Sequence, residues 1–122
     1  MLVEFQTTGE LCILRLSGRF ATGQDTVYLR EQAEELKRRG CSRVLVDFRD
    51  VAYIDSTGIG FLIGIYSSVI KTPNGAFGIC SPNTKVREVL ELCRLHTIFP
   101  IYADEASALA ALKAGDSAFS GR

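Results

Sequence analysis

The feature that most constrains this chain lies between Val44 and Ile70. Val44-Leu45-Val46-Asp47-Phe48 is a β-branched, apolar run of the kind a buried strand requires. Arg49 and Asp50 interrupt it, Val51 to Ile54 carry the chain on, and Asp55-Ser56-Thr57-Gly58-Ile59-Gly60 follows. Ile59, Phe61, Leu62, Ile63, Ile65, Val69 and Ile70 then supply apolar surface over a segment of helical length. A strand that ends in small polar residues and resumes as a helix must turn a corner at Asp55-Ser56-Thr57. A helix start carries free backbone N–H groups and a small positive dipole, so the corner suits an anion, a phosphate or an acceptor from a partner. Asp55, Ser56 and Thr57 are also all good helix caps, and a purely capping role stays open at this point.

The rest of the chain alternates in the same way. Val3 to Thr7 and Leu11 to Leu16 read as strands joined by a turn at Thr8-Gly9-Glu10, which makes a hairpin. Ser17 to Gly23 reads as a loop, and Val27 or Leu29, Ala33 and Leu36 then recur at helical spacing, giving a helix over about 24–39 that Gly40 stops. Beyond the central strand and helix, Thr72-Pro73-Asn74-Gly75 turns the chain and Ala76 to Cys80 reads as a strand. Ser81 as cap and Pro82 at the first helical position open a further helix, in which Val86, Val89, Leu90 and Cys93 share a face and which ends near Leu95. Ile98 to Tyr102 is a short strand whose Pro100 suits an edge, and Asp104 caps an alanine-rich helix that stops at Gly115. The order ββαβαβαβα predicts a mainly parallel or mixed sheet with helices packed on it. One domain over 1–115 and a frayed tail over 116–122 account for the whole chain.

Composition removes several function classes. With 14 basic and 14 acidic residues and no cluster of five or more like charges, the chain has no electrostatic footprint for nucleic acid or an anionic membrane. The apolar stretch Ile59 to Ile65 is far shorter than the roughly 20 residues of a membrane span. Met1-Leu2-Val3-Glu4-Phe5 has no signal-peptide character, which makes the cytoplasm the expected location. Cys12, Cys41, Cys80 and Cys93 form no CxxC pair and are expected to be buried free thiols. Cys93 and His96 lack the further ligands that a zinc site needs, and no Gly-x-Ser-x-Gly elbow surrounds a serine. The segment after Asp55 matches neither GxGxxG nor GxxxxGK[ST], so a self-contained nucleotide hydrolase is not expected.

Gly58, Gly60 and Gly64 require an account, because each costs about 1 kcal/mol relative to alanine inside a helix. Close packing of the helix on the sheet is one explanation. A bare helix N-terminus on which a partner's backbone lies is the other.

Val44 to Phe48, Val51 to Gly60 and the following helix together resemble the signature of the STAS domain family, specifically the bacterial anti-sigma factor antagonists. Leu14 to Phe20 resembles the family's strand and loop before the first helix, and Cys80-Ser81-Pro82 with Val86 and Leu90 resembles its later strand and helix. The resemblance implies an α/β STAS-like domain with a four- to five-stranded mixed sheet and about four helices. It further implies a partner switch in which a histidine-kinase-like anti-sigma factor phosphorylates Ser56 and a PP2C-type phosphatase removes the phosphate. Only the unmodified protein then captures the anti-sigma factor and frees its sigma factor. In this scheme Asp55, Thr57, Gly58, Ile59 and Gly60 contact the partner, with Thr22 and Gly23 in the neighbouring loop beside Arg19 and Phe20. ATP and Mg²⁺ belong to the kinase, and the chain is a substrate and binding module rather than an enzyme. Many family members carry an acidic residue at the position matching Ala21, where the nearest acid here is Asp25. The fold also resembles regulatory or assembly subunits of transporter ATPases, which is the alternative reading.

Overall fold

A computed structural model describes residues 2–9, 11–20 and 26–113, with the side chains of Phe20, Thr26, Leu112 and Lys113 outside the description. The elements are β1 (Leu2–Thr8), β2 (Leu11–Phe20), α1 (Thr26–Arg39), β3 (Arg43–Ile54), α2 (Ser56–Ile70), β4 (Ala76–Cys80), α3 (Thr84–Leu92), a 3₁₀ turn (Leu95–Thr97), β5 (Ile101–Tyr102) and α4 (Glu105–Lys113). The five strands form one sheet in sequence order, with β1 antiparallel to β2 and β2 through β5 parallel. This is the expected mixed sheet with four helices. Each parallel step is made by a crossover helix, which places the C-terminal ends of β2, β3 and β4 along one rim.

Alternation along β3 decides what each face of the sheet becomes. Val44, Val46 and Phe48 point into the main core, where they meet Leu29 and Leu36 of α1, Phe61, Leu62, Ile65 and Val69 of α2, and Val86 and Leu90 of α3. Leu45 points the other way, into a smaller cluster with Ile13, Ala76, Cys80 and Ala108 of α4. Three helices therefore cover one face, and α4 covers the other. Burying side chains of this size contributes about 1.5–3 kcal/mol each. Phe77, Phe99 and Tyr66 close one end of the main core, Phe77 meeting Phe99 edge-on at 4.9 Å between ring centroids. On the exposed edge, the Val3 N–H donates to the Tyr28 hydroxyl at 3.0 Å, so α1 blunts a strand edge that would otherwise invite pairing.

The structure departs from expectation in several places. Ser17 to Phe20 is strand rather than loop, because β3 pairs with it along its length, while β1 reaches only Ser17. Its loop-like composition reflects two register shifts against β3, one of them beside Gly18, whose φ of 96° is open to glycine. The same irregularity lets β3 run on through exposed Arg49 and Asp50, pairing Ser17 with Asp50 where Arg15 pairs with Asp47. Helix α3 is capped by Asn83, not Ser81: Asn83 Oδ1 accepts the Val86 N–H at 2.8 Å while its Nδ2 donates to the Val51 carbonyl at 3.0 Å. Ser81 sits at φ 60° and its N–H donates to the Tyr102 carbonyl, so it still belongs to the sheet. β5 is confined to Ile101–Tyr102, with Pro100 outside it and its carbonyl accepting the Ile79 N–H. Cys12, Cys41 and Cys80 are buried thiols, but Cys93 at the end of α3 is exposed because the helix stops at Leu92. Gly40, at φ 66°, ends α1 as expected. The tail over 116–122 and the loop residues Ala21, Thr22, Gly23 and Asp25 lie outside the described residues.

Candidate functional site

The site begins at the C-terminal end of β3. Asp55, in extended conformation, is the cap of α2: its Oδ1 accepts the Thr57 N–H at 2.9 Å and its carbonyl accepts the Ile59 N–H at 2.9 Å. The carboxylate thus occupies the helix start where a negative group is best placed. Ser56, the first helical residue, is exposed, and its hydroxyl makes no hydrogen bond to another described residue. Of the three hydroxyl or carboxyl side chains that the sequence offers as caps, Asp55 does the capping. Ser56 remains chemically available.

Two grooves meet at this serine. One, of about 390 Å³, runs between α1 and α2, with Leu29, Arg30 and Ala33 on the α1 side and Ser56, Thr57, Gly60, Phe61 and Gly64 on the α2 side. The other, of about 420 Å³, lies towards α3 and is lined by Tyr53, Ile54, Asp55, Ser56, Ile59, Gly60, Ile63, Val89 and Cys93. Ser56 and Gly60 line both, so they form the low ridge between them. The Arg19 guanidinium lies over the Tyr53 ring at 4.9 Å, close to the corner.

At two of the three glycines the structure removes close packing on the sheet as the explanation. A Cβ built on Gly60 or Gly64 meets nothing within 4 Å, so close packing inside the domain is not why these residues lack a side chain. Gly58 is buried beneath the helix start. Asp55, Ser56, Ile59 and Gly60 come together along the α3-side groove, and Ser56, Thr57 and Gly60 along the α1-side groove. Thr22 and Gly23 lie outside the described residues. Sequence reasoning missed Arg30, Ala33, Ile63 and Cys93 as part of this surface. Ile63, 42% exposed, was the one with a signal, as a large apolar side chain off the core stripe of α2. The others join the surface only through the mutual placement of helices.

Elsewhere the polar chemistry is structural. Arg15 binds Asp47 at 2.8 Å and Glu105 at 2.6 Å, tying β2, β3 and the first turn of α4 together on the second face. The Glu105 hydrogen bond, ahead of the Asp47 one, raises the Arg15 pKa further above its ordinary value. Burial pushes the Cys12 and Cys80 thiols up to about 12, which makes both poor nucleophiles. Among the described residues no cluster of three or more His, Cys, Asp or Glu side chains is placed to hold a metal ion. Among them, too, no helix is long and apolar enough to cross a membrane.

Comparison with known proteins places the chain and its fold. A family model described as the STAS domain matches residues 3–108. The chain is 28% identical over 111 residues to the anti-sigma F factor antagonist of Paenibacillus polymyxa, spanning 91% of this chain and 94% of that protein. Its fold matches the anti-sigma factor antagonist SpoIIAA in unphosphorylated form with a TM-score of 0.76 at 18% identity, covering 93% of this chain and 97% of that one. It also matches the Bacillus cell fate determinant SpoIIAA in phosphorylated form with a TM-score of 0.69 at 18% identity, covering 91% and 99% of the two chains.

Proposed function

The chain belongs to the STAS domain family, and from that membership we propose that it is an anti-sigma factor antagonist whose docking is switched by phosphorylation of Ser56. The observation that carries this reading is the division of labour at the corner: Asp55 caps α2, and the exposed Ser56 hydroxyl has no hydrogen-bond partner among the described residues. The relative from Paenibacillus polymyxa is named as an anti-sigma F factor antagonist, and the similar SpoIIAA fold is known in phosphorylated and unphosphorylated forms.

In the bare state, the ridge of Ser56 and Gly60 between two largely apolar grooves is a surface on which a histidine-kinase-like anti-sigma factor docks, freeing its sigma factor. That partner brings ATP and Mg²⁺. The phosphoryl group passes from ATP to Ser56 Oγ: a P–O bond forms to the serine, the bond to ADP breaks with ADP leaving, and the hydroxyl proton passes to a base of the kinase. The product carries about −1.5 to −2 charge beside the Asp55 carboxylate, in the middle of the docking ridge, and bulk and like charge then oppose association. The helix dipole offsets part of the cost within the domain, by about 0.3–1 kcal/mol, so the fold persists in both forms. A PP2C-type phosphatase resets the switch by hydrolysis.

The test uses wild type, Ser56→Ala and Ser56→Asp as baits in host lysate, with retained proteins read by mass spectrometry. A histidine-kinase-like anti-sigma factor is expected on wild type and Ser56→Ala and lost on Ser56→Asp. Equal retention of transporter ATPase subunits by all three baits would instead support an assembly subunit in which Ser56 is inert.

A further inference from the structure

We propose that Arg30 receives the phosphate of phosphorylated Ser56, swinging across the groove between α1 and α2 and closing it. The inference rests on the Ser56 switch proposed above and concerns how that switch works.

Arg30 and Ser56 line opposite walls of one groove whose remaining surface is apolar or glycine apart from Thr57. Arg30 is exposed and has no hydrogen bond or ion pair to a described residue. Its neighbours on the same helix differ: Lys37 pairs with Glu34 at 3.5 Å, and Arg38 and Arg39 both pair with Glu35 at 2.9 Å. Arg19, the other cation near the corner, is already stacked on Tyr53. Asp55 faces the same helix start but is engaged by the Thr57 N–H. A guanidinium with no partner among the described residues thus stands across from the hydroxyl expected to gain a dianion. A phosphate presents three strong acceptor oxygens, and a guanidinium answers with a planar fork of donors. Once paired, the arginine stem lies over Ala33 and Gly60 and covers the floor a partner would use. Phosphorylation in this arrangement does more than repel: it occupies half of the docking surface with the protein's own side chain.

The experiment installs phosphoserine at position 56 during translation, so that no kinase is needed, and follows the phosphate by ³¹P NMR as a function of pH. Wild type, Arg30→Gln, Arg30→Lys and Arg19→Gln are compared. The helix start is common to all four, so its effect cancels. The second phosphate ionisation, ordinarily near pH 6, is expected about half a unit lower in wild type and Arg19→Gln than in Arg30→Gln, as for an exposed ion pair. Arg30→Lys is expected in between. The Arg30 Nε–H resonance should also move on phosphorylation. Equal phosphate titration in wild type and Arg30→Gln overturns the proposal, as does a shift that Arg19→Gln abolishes. An Arg30-dependent shift in a protein that binds no anti-sigma factor would refute the switch alone. Partner release by phosphorylation without any Arg30-dependent shift would refute this inference alone.

Discussion

The Asp55 carboxylate holds the Thr57 amide at 2.9 Å, reaching past Ser56 to do so. Removing that bond by Asp55→Ala is expected to cost about 1 kcal/mol of stability, and Asp55→Ser, which keeps an acceptor oxygen, much less. Urea denaturation of the three proteins measures this. A loss of the same size in Ser56→Ala would show that the serine shares the capping role.

Gly60 and Gly64 are helical positions where an added methyl group meets nothing within 4 Å beyond its own stretch of helix, among the described residues. Each Gly→Ala change is therefore expected to raise stability by up to about 1 kcal/mol, because alanine is the better helix former. The same methyl group stands on the proposed docking surface, so on that proposal affinity for the anti-sigma factor should fall as melting temperature rises. Calorimetry of folding and of binding on the same variants checks both. Unchanged affinity would remove these glycines from the interface.

Arg15→Met leaves the buried Asp47 carboxylate without its cation and releases Glu105 from the sheet. A loss of about 1–3 kcal/mol is expected from the stranded polar group. Cys80, fully buried in the α4 cluster, should at the same time become more accessible to a thiol reagent. Alkylation kinetics followed by peptide mapping would register the loosening of α4. A stability loss without faster Cys80 labelling would confine the effect to the ion pair.

Alkaline pH acts through the same thiol. Burial raises Cys80 from 9.0 to about 12, so between those values the unfolded chain ionises a thiol that the folded chain keeps protonated. The stabilisation is whole below pH 9 and is lost as the pH rises towards 12. In this window Cys80→Ala is expected to show a shallower decline of stability with pH, by up to about 1.4 kcal/mol per pH unit. Cys12→Ala should behave similarly, since burial and its Cys41 neighbour raise that thiol as well. Parallel curves for wild type and both variants would overturn the assignment.

The parts of this fold that the sequence made legible are those written within one segment. The period of α1 and α2, the β-branched centre of β3 and the Asp55-Ser56-Thr57 corner each depend on neighbouring residues alone, and the structure places them as expected. What was misread depends on distant partners. Ser17-Gly18-Arg19 has the composition of a loop and becomes strand because β3 pairs with it, and Asn83 outcompetes Ser81 as a cap because Val51 is there to receive its amide. The grooves were illegible for the same reason. They are spaces between helices, and no periodicity in α1 announces that Arg30 will stand across from Ser56.

Because Ser56 and Gly60 belong to both grooves at once, a surface switched at Ser56 as proposed has no unregulated half. A binding partner that leans wholly towards α1 or wholly towards α3 still rests on the same post, so it cannot evolve out of the modification's reach by shifting its footprint sideways. Control by one small side chain is in this sense a matter of placement: the domain puts its address and its lock on a single residue, and any new client that learns the address inherits the lock.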